Sequence, residues 1–164
     1  MLKKVRVKIV TDRTEMAGSL FAGGALTAAR VPEAPTHEES MVEGRYHDDG
    51  TRVAISYEEG ALSGLEGSRV TLSYQKDDPA LLTMLRTGSV KTALTFEAGR
   101  RHECVYQTPF APFDVCVQTS RVKNAIEALG TLQLEYIVEI KGAQPEHTKM
   151  SVTLLPVFDQ PIGV

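Results

Sequence analysis

The stretch that decides the fold is RTGSVKTALTFEAGRRHECVYQTPFAPFDVCVQT, residues 86–119. It reads as consecutive strands joined by short turns at Thr87-Gly88-Ser89, Ala98-Gly99-Arg100 and Thr108-Pro109-Phe110-Ala111-Pro112. Glycine supplies the positive φ that such turns need, and proline fixes φ. Between the first two turns, Thr92, Leu94 and Phe96 alternate with Lys91, Ala93, Thr95 and Glu97. That period of two marks a strand with one face on a core.

The same grammar extends in both directions. Upstream, Val5, Val7 and Ile9 alternate with Lys4, Arg6 and Lys8; Val42–Tyr46 ends at an Asp49-Gly50 hairpin signal; Val53, Ile55 and Tyr57 follow, then Val70, Leu72 and Tyr74. A cationic row like that of the first strand guards an exposed or edge strand more often than it binds phosphate. Downstream, Phe113, Val115, Val117 and Thr119 share a face, and Arg121–Leu129 suits either a short helix or an irregular strand. Leu132, Leu134, Tyr136, Val138 and Ile140 then form the cleanest strand, and Thr148, Met150, Val152 and Leu154 close the series. About ten strands with hairpin-short links predict an all-β protein, a single antiparallel barrel, since closure removes the exposed edges.

A length of 164 residues suits one domain, 1–164, with one core. Within it the alternation lapses from Arg13 to Glu39, predicting a long excursion, and a loose tail is expected over 156–164. A net charge of −3 argues against nucleic acid as a partner, and no apolar run approaches the roughly 20 residues of a membrane span. The basic N-terminus carries no apolar signal core, which predicts a cytoplasmic protein. The two cysteines, Cys104 and Cys116, flank the Thr108–Pro112 turn; a register centred on Phe110 would set them face to face, whereas cytosolic redox conditions favour free thiols.

Several segments stand out together: Ile55-Ser56-Tyr57-Glu58-Glu59 with Gly64-Leu65-Glu66-Gly67, Arg86-Thr87-Gly88, Phe96-Glu97-Ala98-Gly99, Tyr106-Gln107-Thr108-Pro109, Val117-Gln118-Thr119, and the Gly130–Lys141 strand. In these segments the chain resembles the bacterial YwiB-like family of unknown function. The resemblance spans Val42 to Leu155 and implies a calycin-like, or lipocalin-like, β-barrel, with no function attached. The chain departs from the family pattern at Ala111-Pro112 and in its longer excursion.

Among candidate site residues, Arg86 shares a face with Leu82 and Met84, although the Leu81/Leu85 face could equally be the inner one. A guanidinium inside a barrel needs a partner. Glu59, on the face of Val53, Ile55 and Tyr57, is the natural one, with the hydroxyls of Tyr57, Tyr106 and Tyr136 beside it if those rings point inward. Such a cluster would bind a carboxylate or another anion, or would simply fix the packing. None of the histidines (His37, His47, His102, His147) stands at metal-ligand spacing to another, and no nucleophile elbow, phosphate loop or dinucleotide motif occurs. The expectation is a small-molecule-binding barrel without metal, cofactor or catalytic residues. The alternative is a structural or protein-interaction barrel with a filled core, as a homodimer if it self-associates.

Overall fold

Residues directly opposite one another in an antiparallel ladder share a face, so the register alone sorts the chain into inside and outside. The computed structural model describes residues 1–22, 26–28, 36–59 and 67–157. Its elements are β1 (Leu2–Ala17), β2 (Thr27–Ala28), β3 (Thr36–Asp48), β4 (Arg52–Glu58), β5 (Arg69–Gln75), β6 (Asp78–Thr87), β7 (Thr92–Glu97), β8 (Arg101–Gln107), β9 (Pro112–Ala125), α1 (Ile126–Leu129), β10 (Thr131–Ile140) and β11 (Glu146–Pro156). The sheet order is β7-β6-β5-β4-β3-β1-β11-β10-β9-β8, with β2 paired to β1 alone.

The fold is therefore an all-β, nearly closed antiparallel barrel of ten strands, as the alternation predicts. Its seam lies where a hairpin would be expected, between β7 and β8 across the Ala98-Gly99-Arg100 turn. There the contact reduces to isolated bridges, Lys91 with Gln107 and Ala98 with Thr119. The first and last long strands, β1 and β11, pair over Val5–Glu15 and close the other side. β1 is thus flanked by β3 and β11, so the Lys4/Arg6/Lys8 row marks a solvent face and not an edge.

Inside, Val7, Val53, Ile55, Val70, Leu72, Leu82, Phe96, Val115, Val117, Leu132 and Val152 are sealed from solvent. Gly44 makes room among them. A Cβ there would lie 2.7 Å from both the Ser56 carbonyl oxygen and Val7 Cγ2, so only glycine lets β3 pass this close. The α1 end is closed by Tyr46 and Tyr74, with Lys76 bridging Asp48 at 2.6 Å and Glu127 at 3.5 Å.

Some sequence boundaries need correction. Alternation lapses at Arg13, yet β1 continues to Ala17 and β3 already begins at Thr36, because ladder partners on β11 and β3 hold extended backbone whatever its composition. The paired Gly23-Gly24, the prolines at 32 and 35, the 60–66 connection and the tail beyond 157 lie outside the described residues. The ambiguous Arg121–Leu129 stretch is both things in turn. β9 continues to Ala125, a bulge at Ser120 moves the inward positions from Thr119 to Val122, and a single helical turn ends at Gly130 with φ 69°.

Cys104 stands opposite Val115, and Cys116 opposite Glu103. The thiols consequently point to opposite faces of the sheet and are free. No helix among the described residues is long and apolar enough to cross a membrane.

Candidate functional site

The end of the barrel opposite α1 carries polar residues on its inner face. Arg86 points inward with Leu82 and Met84, while Leu85 faces out. Its Nε donates to Glu59 Oε1 at 2.8 Å, and Nη2 approaches the same oxygen at 2.8 Å. The side chains are 20% and 8% exposed, so the pair is largely desolvated. Glu59 Oε2 is buried and has no hydrogen-bond partner among the described residues.

Across the interior, the ladders of β9, β10, β11 and β1 place Thr119, Tyr136, Thr148 and Arg13 side by side. Phe96 packs on Tyr136 with ring centroids 4.7 Å apart. Thr119 Oγ1, Thr148 Oγ1 and Ser68 Oγ are buried without partners, so with Glu59 Oε2 this belt holds most of the buried orphan side-chain atoms among the described residues. Tyr74 Oη, near α1, is the other.

Charges ring the belt. Arg13 pairs with Glu38 at 3.2 Å near the rim. Glu146 lies opposite inward-facing Val138 on one side and Glu15 on the other, and makes no ion pair among the described residues. Burial pushes the Tyr57 phenol well above its ordinary value, with the Glu59 carboxylate adding to the rise and Arg86 opposing it. Burial also raises Tyr136, against the pull of Arg13, Arg86 and the neighbouring Thr148 hydroxyl, with the Glu146 carboxylate adding last to the rise. Both phenols stay neutral at pH 7 and serve as hydrogen-bonding groups, not as bases.

Of the residues singled out from sequence, Arg86, Glu59, Tyr57 and Tyr136 thus come together. Tyr106 does not join them as closely. It faces inward on β8 opposite Phe113, half-buried beside the seam, with no hydrogen bond to the pair among the described residues. Sequence reading missed Thr119, Thr148 and Ser68 as site candidates. The signal was present, because each is a hydroxyl at an inward position of an apolar alternation.

A second polar contact lies outside the barrel. Glu139 is 4% exposed although its β10 position faces outward, opposite Cys116. The segment after β1 crosses over it. Leu20 N donates to Glu139 Oε1 at 2.6 Å and Ser19 Oγ to Oε2 at 2.7 Å. Arg101 Nη1 donates to the Leu20 carbonyl. Leu20 and Glu139 are buried in this strap contact, and Cys116, opposite Glu139 in the ladder, is buried as well. No alternation could reveal it, because the covering segment is remote in sequence.

No group of three or more His, Cys, Asp or Glu side chains suited to a metal occurs among the described residues. His102 pairs with Glu97 at 3.1 Å and His147 with Glu135 at 2.9 Å, each as an isolated pair. A groove of about 640 Å³ opens at the α1 end, lined by Lys3, Tyr46, Ile126, Leu129, Leu154 and neighbours. It lies at the other end from the belt.

No curated protein matches the chain. Among solved structures it is similar to the crystal structure of the ywiB protein from Bacillus subtilis, with TM-score 0.68 and 14% identity over 96% of each chain, a likeness of fold. The model of a domain of unknown function, DUF1934, matches residues 30–152, and the chain belongs to that family.

Proposed function

We propose that the protein is a cytoplasmic, calycin-like binding module that takes a small molecule against the polar belt of its barrel, with Arg86, Glu59, Tyr57 and Tyr136 as the recognition groups and Tyr106 beside the seam. The observation that carries this reading is the concentration of buried, unpartnered polar atoms at one end of an otherwise apolar interior. Native proteins leave few such atoms, and each calls for water, an ion or a ligand as partner. The neighbouring apolar half is filled by its own side chains, so the guest is small and polar, and the protein acts by binding it. Native mass spectrometry of protein purified from its own host tests this. A small adduct lost on denaturation is expected, and a bare monomer counts against the reading.

A second reading, an interaction barrel, draws on Phe110. It is 95% exposed at the tip of the β8–β9 turn. Thr108 Oγ1 accepts from the backbone N–H groups of Phe110 and Ala111 at 3.2 Å each, and proline flanks the turn on both sides. A rigid turn that holds an aromatic ring in water suits contact with a protein partner or a second copy. A bare dimer in the same experiment, converted to monomer by Phe110→Ser, favours this alternative.

A further inference from the structure

An Arg–Glu–Tyr cluster in a sequence suggests a site for anions. The demand left open by the folded belt has the opposite sign. Both belt guanidinium groups already hold carboxylates, Arg86 with Glu59 and Arg13 with Glu38. What lacks a partner is an acceptor, Glu59 Oε2, on a side chain more than nine-tenths buried. Glu146 adds a further inward carboxylate, and its direct neighbour across the β1–β11 ladder is Glu15. Like charges opposite one another destabilise a sheet unless something answers them. Thr119 Oγ1 and Thr148 Oγ1 complete the lining and are able to donate or accept.

An anion entering here would meet guanidinium groups whose charge Glu59 and Glu38 already offset, and would then face Glu146. A cation bearing N–H donors meets the orphan oxygen directly and lowers the excess negative charge. Resting on the binding reading above, we infer that the belt takes a small molecule presenting an ammonium group, with Glu59 Oε2 as its principal acceptor, the Thr119 and Thr148 hydroxyls as auxiliary ones, and Glu146 as the longer-range countercharge. Arg86 is then a positioning residue that holds the Glu59 carboxylate with one oxygen turned toward the guest.

Three probes of similar size separate the possibilities: n-butylammonium chloride, sodium butyrate and 1-butanol, each titrated at constant ionic strength while the backbone amides of Glu59, Ser68, Thr119 and Thr148 are followed by NMR. Saturable shifts with n-butylammonium, absent with the other two, are expected. Thr148→Val, which keeps side-chain shape, should weaken that binding about fivefold, the worth of one hydrogen bond. Glu59→Gln should weaken it about tenfold or more, as loss of a charged acceptor does. If Glu59→Gln does not fold, the threonine variants carry the test. Saturation by butyrate, lost in Arg86→Met, overturns the ammonium assignment and leaves the binding reading standing. Equal binding of 1-butanol also overturns it, since charge then plays no part. If no probe moves the belt amides, both readings fall and the orphan atoms are met by water alone.

Discussion

Arg86 grips Glu59 by a single oxygen: Nε and Nη2 both lie 2.8 Å from Oε1, and Oε2 is left buried and unpartnered. Removing one member of so desolvated a pair strands the other. Arg86→Met should therefore cost about 3 kcal/mol, whereas replacing both members, Arg86→Met with Glu59→Gln, should recover much of it. Urea denaturation of the two single variants and the double variant gives the coupling. Additive losses would mean that the pair contributes nothing to the fold.

Gly44 should not tolerate a side chain. The added methyl of Gly44→Ala meets a backbone oxygen and a core valine, both at 2.7 Å, and the backbone cannot swing aside as a flexible side chain can. A loss of about 1–3 kcal/mol is expected from such overpacking, read as a lower urea midpoint at unchanged slope.

His37 should make stability fall as pH rises. Its ring N–H groups donate to the carboxylates of Asp12 first and Glu39 second, which raises its pKa above 6.5, and the negative charges act in the same direction. A folded-state pKa above the unfolded one gives a contribution fully present below about pH 6.5 and lost as pH climbs through the folded value. NMR titration of the His37 ring should place its midpoint above the ordinary range. His37→Gln should remove that part of the pH dependence, and an unchanged stability profile would contradict the assignment.

The strap should govern access to Cys116. Burial raises both thiols, with Arg101 opposing the rise at Cys116 and Thr92 opposing it at Cys104. Cys116 is wholly buried opposite Glu139, the residue that anchors the strap, and Cys104 is half-buried inside the barrel. Glu139→Ala removes the acceptor for Ser19 and Leu20, at a cost of about 1–3 kcal/mol. Iodoacetamide labelling followed by peptide mass spectrometry should show Cys116 accelerated in that variant and Cys104 little changed. Equal acceleration at both sites would mean global loosening instead.

The alternation from Val5 to Leu154 was enough to determine most strands and an antiparallel barrel, because a period of two is a local property of extended chain facing one core. It also named Glu59 as the carboxylate an inward Arg86 would seek, because a desolvated guanidinium needs a partner, but it left open which face of that strand was the inner one. Tertiary structure decided what local pattern cannot carry. Whether Leu82 or Leu85 faced the core depended on which neighbours flanked β6. The seam fell between β7 and β8, although their turn reads as a hairpin, because ring closure is settled by the register of all ten strands together. Glu139 was engaged by a segment more than a hundred residues distant. The one-oxygen grip of Arg86 likewise follows from where β4 and β6 end relative to each other. That distance belongs to the assembled barrel, and it leaves an acceptor, Glu59 Oε2, as the unpartnered atom of the pair.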